Sequence, residues 1–195
     1  MNDVYGPAFF GFMAGCRDNY RKLGDAICAA AEIQSRTQIL DVGCGLGYVG
    51  ARIKELRAFV DVQGVDAFAP ETKCEIPVWN LDFESTPGFK FPRADVVICT
   101  ETAEHLTEGT ALALVGAICA AARKRIVWSA APPGQDEDDP GHINLKPLAY
   151  WLNEFSLRDW LVNRERTDEL QRLMLETHAQ HEYCAGNFLI LDRLF

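Results

Sequence analysis

Ile39-Leu40-Asp41-Val42-Gly43-Cys44-Gly45-Leu46-Gly47 is the stretch whose reading decides the fold. A short apolar run ends in an acid, and a glycine-rich turn opens residues 48–57, which have helical character. Glycines at such a turn let the backbone adopt positive φ and come close to a ligand. The place is the C-terminal edge of a sheet, where open α/β sheets bind their ligands. A dinucleotide loop spaces its glycines as G-x-G-x-x-G, so that a helix N-terminus meets a pyrophosphate. Counted from Gly43, the third glycine would fall at position 48, which is Tyr48. The spacing here is G-x-G-x-G, and a carboxylate beside the loop would repel a pyrophosphate and favour a cationic ligand. A nicotinamide-binding loop and a bare tight turn remain as alternative readings.

Outward from this loop, apolar runs at residues 38–42, 60–65, 94–100 and 125–130 are short, rich in Val and Ile, and bounded by turn formers. Runs of that kind suit strands buried on both faces of a parallel sheet. Residues 77–80 and 188–191 are further strand candidates, the latter placed to insert antiparallel. Helical segments lie between: residues 48–57, and 108–122 behind a Thr107 cap. After them come 147–155, opened by a proline, and 167–178 with Thr167 as cap. Residues 7–34 read as one or two helices. Alternating strands and helices predict a Rossmann-like α/β fold. Arg123-Lys124-Arg125 reads as the end of a helix, favourable to its dipole.

The chain has 195 residues, enough for one full α/β domain. No apolar run is long enough to cross a bilayer, and no basic start leads an apolar stretch, so a cytoplasmic protein is the expectation. Seven cysteines without zinc-knuckle spacing read as free buried thiols. A net charge of −9 disfavours nucleic acid as partner, because polyphosphate binding draws on Lys/Arg clusters. No pattern in the chain sets an oligomeric state.

Asp66 ends the second strand and could accept hydrogen bonds from two ribose hydroxyls, or be a solvated strand-end acid. His105 follows the fourth strand and His142 the fifth, both at the ligand edge, and either could act as general base. Glu101, Glu104 and His105 are spaced i, i+3 and i+4, which puts them on one side of a helical turn. Structural roles for all of them are the plain alternative. Lys146 reads as a solvated lysine, Tyr150 and Trp151 as core or lid, and His178 and His181 as surface residues.

The loop resembles the first motif of class I methyltransferases, acid-x-G-x-G-x-G, and the resemblance extends over almost the whole chain. Ala94 to Leu106 looks like the family's fourth motif with its Glu-His-Leu. Val127 to Gln135, Gly141-His142-Ile143-Asn144, Tyr183 and Asn187 are similar to bacterial and phage methyltransferase-domain proteins, often encoded near polysaccharide genes. The departure is the acidic link from Gln135 to Pro140.

The resemblance implies a seven-stranded, mostly parallel sheet with an antiparallel C-terminal strand and helices on both faces. It implies one domain over residues 1–195, with residues 1–35 as a helical segment covering the cofactor and substrate site. It implies S-adenosylmethionine as cofactor, bound by Asp41, Gly43, Cys44, Gly45, Gly47, Asp66, Ala67, Asp82, Phe83 and Thr100, with Asp82 at the adenine amino group. The acceptor it implies is a hydroxyl of a small molecule or glycan. Glu-x-x-Glu-His with a later histidine also resembles the divalent-metal site of plant small-RNA 2′-O-methyltransferases and ubiquinone-biosynthesis O-methyltransferases. Glu101, Glu104, His105 and His142 would then be ligands. The rival functions are a metal-dependent RNA 2′-O-methyltransferase, an N-methyltransferase and a non-catalytic cofactor-binding module.

Overall fold

Alternation along the strands sorts the core into two layers. The computed structural model describes residues 6–67, 73–135, 141–177 and 182–194, the side chains of Pro7 and residues 182–184 excepted. The N-terminal segment forms two helices, α1 (Pro7–Gly15) and α2 (Arg17–Ala30). Next come β1 (Gln38–Val42), α3 (Tyr48–Leu56), β2 (Asp61–Asp66), β3 (Val78–Asn80) and β4 (Ala94–Cys99). A 3-10 turn (Ala103–His105) leads into α4 (Glu108–Ala121) and β5 (Ala122–Trp128). The chain closes with α5 (Leu148–Ser156), β6 (Trp160–Val162), α6 (Arg164–Glu176) and β7 (Leu189–Arg193).

Ile39, Ile98 and Ile190 share one face of the sheet with Ile27 of α2, Ile53 of α3 and Leu170 of α6. Leu40, Val97 and Leu191 share the other with Leu114 of α4 and Phe155 of α5. Period-2 strands between helices on both sides account for this division.

The strand order is β3-β2-β1-β4-β5-β7-β6. Strands β1 to β5 pair in parallel, and β7 runs antiparallel to both β5 and β6. The expected sheet is therefore observed, with Trp160–Val162 as a strand that the sequence pattern had not marked. The direction of strand connection reverses at β1, and the crevice beyond its C-terminal end is where such sheets bind ligands. No helix among the described residues is long and apolar enough to cross a membrane.

Three local expectations are corrected. Arg123, Lys124 and Arg125 lie inside β5, not at a helix end. Each is used there: Arg123 on Gln38, Lys124 near Asp95, and Arg125 on Asp192 and the Ala31 carbonyl. Asn163, not Thr167, caps α6, its side chain accepting from the Arg166 amide at 3.1 Å. Thr167 is instead buried, and its hydroxyl accepts the Ile190 amide of β7 at 3.0 Å. Thr107 stands at the N-cap of α4 without a capping bond of its own; Glu84 takes its amide at 2.7 Å and, with Thr110, its hydroxyl. The six described cysteines are free thiols. His178, His181, the Cys184 and Tyr183 side chains, and residues 136–140 of the acidic link lie outside the described residues.

Candidate functional site

Glycine is required at the loop for two separate reasons. Gly43 has φ +71, and a Cβ there would lie 2.2 Å from the Thr102 hydroxyl. Gly45 has φ +53, and a Cβ there would lie 2.3 Å from the methyl carbon of Met13 on α1. L-residues rarely adopt these angles, and in both places the neighbouring side chain would have to shift to admit one. The first helix thus rests directly on the loop.

One cavity opens above it. Asp41, Gly43, Cys44, Gly45, Asp66, Ala67, Asp82, Phe83, Thr100, Glu101 and His105 all line its wall. Gly47 does not; it is the left-handed N-cap of α3 and packs on Ile76. Facing the loop are side chains that the sequence reading had not assigned to the site: Phe9, Phe10, Met13, Tyr20 and Leu23 from α1 and α2, with Phe188 and Thr102. Aromatic residues at helical spacing were the only available signal, and that signal does not distinguish a core-facing stripe from a cavity wall.

The carboxylates of the cavity differ in their surroundings. Asp41 is 4% exposed, and burial, then the charge of Asp66, push its carboxyl up to about 7 against an influence from the Gly50 amide. Its Oδ2 is buried without a hydrogen bond of good geometry. Asp66 accepts the Gly45 amide at 2.9 Å, so the end of β2 holds the loop. Both oxygens of Asp82 serve a local turn, accepting the Glu84 amide at 3.0 Å and the Ser85 hydroxyl at 2.6 Å. Phe83 is buried against Phe89, ring centroids 5.1 Å apart. Burial, then Asp41 and Asp66, raise the Cys44 thiol well above its usual range, so it stays protonated beside the Gly45 carbonyl.

The fold joins the Glu-His-Leu and Gly-His-Ile-Asn segments. Ile143 and Asn144 amides both donate to the Glu104 carbonyl, at 2.9 and 3.0 Å, and the Asn144 side chain donates to the Ala103 carbonyl at 3.2 Å. This brings the His105 and His142 rings to 4.9 Å. A carbonyl can only accept, so His105 Nδ1, 3.1 Å from the Gly141 oxygen, carries the proton and its lone pair lies on Nε2. The same reasoning applies to His142, whose Nδ1 lies 3.4 Å from the Gln135 oxygen.

Glu104, His105 and His142 each bring one ligand-type atom within 4.8 Å of the others. Glu104 is fully buried, and neither carboxyl oxygen has a well-formed hydrogen bond. Burial, then the charge of Glu101, raise its carboxyl well above the usual range. A buried carboxyl beside two imidazoles is a donor set suited to a divalent cation. Glu101 stands outside this tight group. Lys146 pairs with Glu108 at 3.1 Å and Trp151 is core, so neither belongs to the cavity.

No protein-family model matches the sequence, and no curated protein matches it either. Solved structures do resemble it. The chain in complex with the Haloferax volcanii Trm112 methyltransferase activator aligns with a TM-score of 0.67 at 14% identity, over 94% of this chain and 93% of that one. Magnesium protoporphyrin IX methyltransferase from Synechocystis PCC 6803, solved with bound SAH, aligns at 0.58 and 17% identity, over 77% and 76%. The O-methyltransferase NcsB1 from neocarzinostatin biosynthesis, complexed with S-adenosylmethionine and 2-hydroxy-5-methyl naphthoic acid, aligns at 0.56 and 13%, over 84% and 51%. At such identities the backbone is what is shared, and it follows that this chain has the class I methyltransferase fold.

Proposed function

We propose that the chain is a cytoplasmic enzyme of one domain that transfers a methyl group from S-adenosylmethionine to a hydroxyl of a small molecule or glycan. The observation that supports this best is His105. It faces the same cavity as the glycine loop, and its Nδ1 donates to the Gly141 carbonyl at 3.1 Å. In this reading Asp41 and the loop residues Gly43, Cys44 and Gly45 take the methionine portion, and Asp66 and Ala67 the ribose. Asp82, Phe83 and Thr100 lie along the adenine. Residues 1–35 cover the site through α1.

When bound, the cofactor supplies an electrophilic methyl carbon on a sulfonium, which leaves as a neutral thioether. The chain's part is to hold the acceptor oxygen in line with that carbon and to exclude water. His105 Nε2 receives the hydroxyl proton as the new C–O bond forms. His142, its ring 4.9 Å from that of His105, does not line the cavity.

The close grouping of Glu104, His105 and His142 favours a second reading. A divalent ion would be held by Glu104 and by Nε2 of His105 and His142, and would supply Lewis acidity that lowers the hydroxyl's pKa. Chelation then abolishes turnover, whereas with His105 as base it does not. An RNA acceptor fits poorly with a net charge of −9.

Calorimetry with S-adenosylhomocysteine is the first test. Binding by the unaltered chain, weakened at least tenfold in Asp41→Ala and Gly43→Val, is expected. Equal affinity in all three proteins overturns the cofactor assignment.

A further inference from the structure

We propose that the acceptor is a phenol, a hydroxyl on a flat apolar ring, and that the ring is held by Tyr20, Leu23 and Phe188 beside His105. This deepens the methyltransferase reading and rests on it, since the cofactor must fill the glycine-loop end of the same cavity.

Topology divides the cavity into two halves. Asp41 and Asp66 lie at the ends of β1 and β2, and Asp82 follows β3. These are the acids that the cofactor takes, and their strands lie on one side of the point where the strand order reverses. β4, β5 and β7 lie on the other side. His105 and Leu106 follow β4, and Phe188 immediately precedes β7, so these lining residues belong to the second half. α2 adds Tyr20 and Leu23 to the lining. Leu23 and Phe188 share one buried cluster, and Tyr20 packs against it.

The side chains of this half suit an apolar ring better than a polar molecule. Two of its polar lining groups already have partners. The Glu101 carboxyl is occupied by the Gln135 amide at 2.9 Å and by its neighbour Glu104. The Thr102 hydroxyl donates to the Thr100 carbonyl at 3.0 Å. A sugar brings several hydroxyls, and each one buried without a partner weakens binding. A carboxylate acceptor fares no better. None of the nineteen Lys and Arg, all of them among the described residues, lines the cavity. An anion would therefore meet the three aspartates without a counter-charge. Tyr20 and Phe188, by contrast, can take another ring edge-on or offset, with a gain beyond the area covered.

The base agrees with this choice. A phenol ionises at about pH 10, whereas water does so only at about 15.7 and an aliphatic hydroxyl is closer to water. An imidazole is a base suited to the first and poorly matched to the second. The phenol oxygen forms its bond to the methyl carbon as the carbon–sulfur bond breaks. The electron pair of that bond goes to sulfur, and the phenol proton passes to His105.

The test titrates 2-naphthol, 2-naphthoate and methyl glucoside by saturation-transfer NMR into the protein saturated with S-adenosylhomocysteine. 2-Naphthol is expected to bind at least tenfold more tightly than either of the others. F188L keeps the position apolar and buried but removes the ring. It should weaken 2-naphthol at least fivefold and leave the affinity for S-adenosylhomocysteine unchanged, which also shows that the variant is folded. With S-adenosylmethionine, the unaltered chain should methylate 2-naphthol at least a hundredfold faster than 2-decalol, its saturated counterpart of similar size. Comparable binding of the glucoside or the naphthoate, no binding of 2-naphthol, or equal turnover of 2-decalol overturns the proposal. So does an unaltered 2-naphthol affinity in F188L, or a parallel fall in S-adenosylhomocysteine affinity, which would assign Phe188 to the cofactor. The wild-type order of the probes decides the matter even if F188L does not fold. If S-adenosylhomocysteine does not bind the unaltered chain, the methyltransferase reading fails by itself, and the same titrations on the unliganded protein decide the ring site.

Discussion

At Asp41 the carboxyl is raised to about 7, first by burial and then by Asp66. An acid raised in the folded state favours folding most below its unfolded value near 4, and that favour is lost as pH rises through the folded value. The unliganded protein should therefore melt lower at pH 8 than at pH 5. Asp41→Asn should gain on the wild type across that interval, as read by paired thermal scans. A cationic ligand reverses the preference by stabilising the ionised form. Binding of S-adenosylhomocysteine should thus release up to one proton below pH 7, detectable as a dependence of calorimetric heat on buffer ionisation enthalpy. His105→Gln keeps the bulk of the ring but not the basic nitrogen. Its expected effect is a fall of about 10²–10⁴ in kcat with unchanged S-adenosylhomocysteine affinity. An N-methyltransferase or a non-catalytic module would not show that split.

Elements owe their stability to local chemistry that was legible in some places and hidden in others. β1 begins and ends where the run at residues 38–42 does, because Ile39, Leu40 and Val42 are buried between the two helix layers, with Asp41 as the one buried acid. The start of α6 was misplaced because Thr167, an acceptable cap by type, has a stronger role against the β7 amide. Two substitutions separate these roles. Asn163→Ala should cost about 1 kcal/mol, the usual loss for a missing cap. Thr167→Val leaves the buried Ile190 amide unsatisfied and should cost about 1–3 kcal/mol. Denaturant unfolding measures both, and equal losses would contradict the division. β6 escaped notice because Trp160–Val162 is only three residues long; it exists by pairing with β7.

For the whole molecule, distant parts of the chain are tied together both away from the site and at it. Arg125 of β5 holds Asp192 of β7 at 2.7 Å. Arg166 of α6 reaches Glu32 beyond α2 at 2.6 Å. Met13 of α1 closes on Gly45. A ligand enclosed by so many elements should stabilise all of them. S-adenosylhomocysteine at a hundredfold its Kd contributes about 2.7 kcal/mol. For a chain of this size that is a rise in Tm of roughly 5–10 °C. Met13→Asp, which sets a carboxylate against the loop, should remove most of that rise, as checked by scanning calorimetry.

What the sequence determined by itself is the strand, the glycine turn and the helix at residues 38–56, together with the parallel sheet around them. These depend on local causes, namely the apolar period, the backbone freedom of glycine and the acid at the strand's end. Tertiary structure alone decided that residues 103–105 and 141–144 meet, that the His105 and His142 rings come to 4.9 Å, and that Glu101 is tied to Ser129 and Gln135. Those features depend on hydrogen bonds between segments nearly forty residues apart, and no local pattern encodes which partner a polar group will find once the chain is packed.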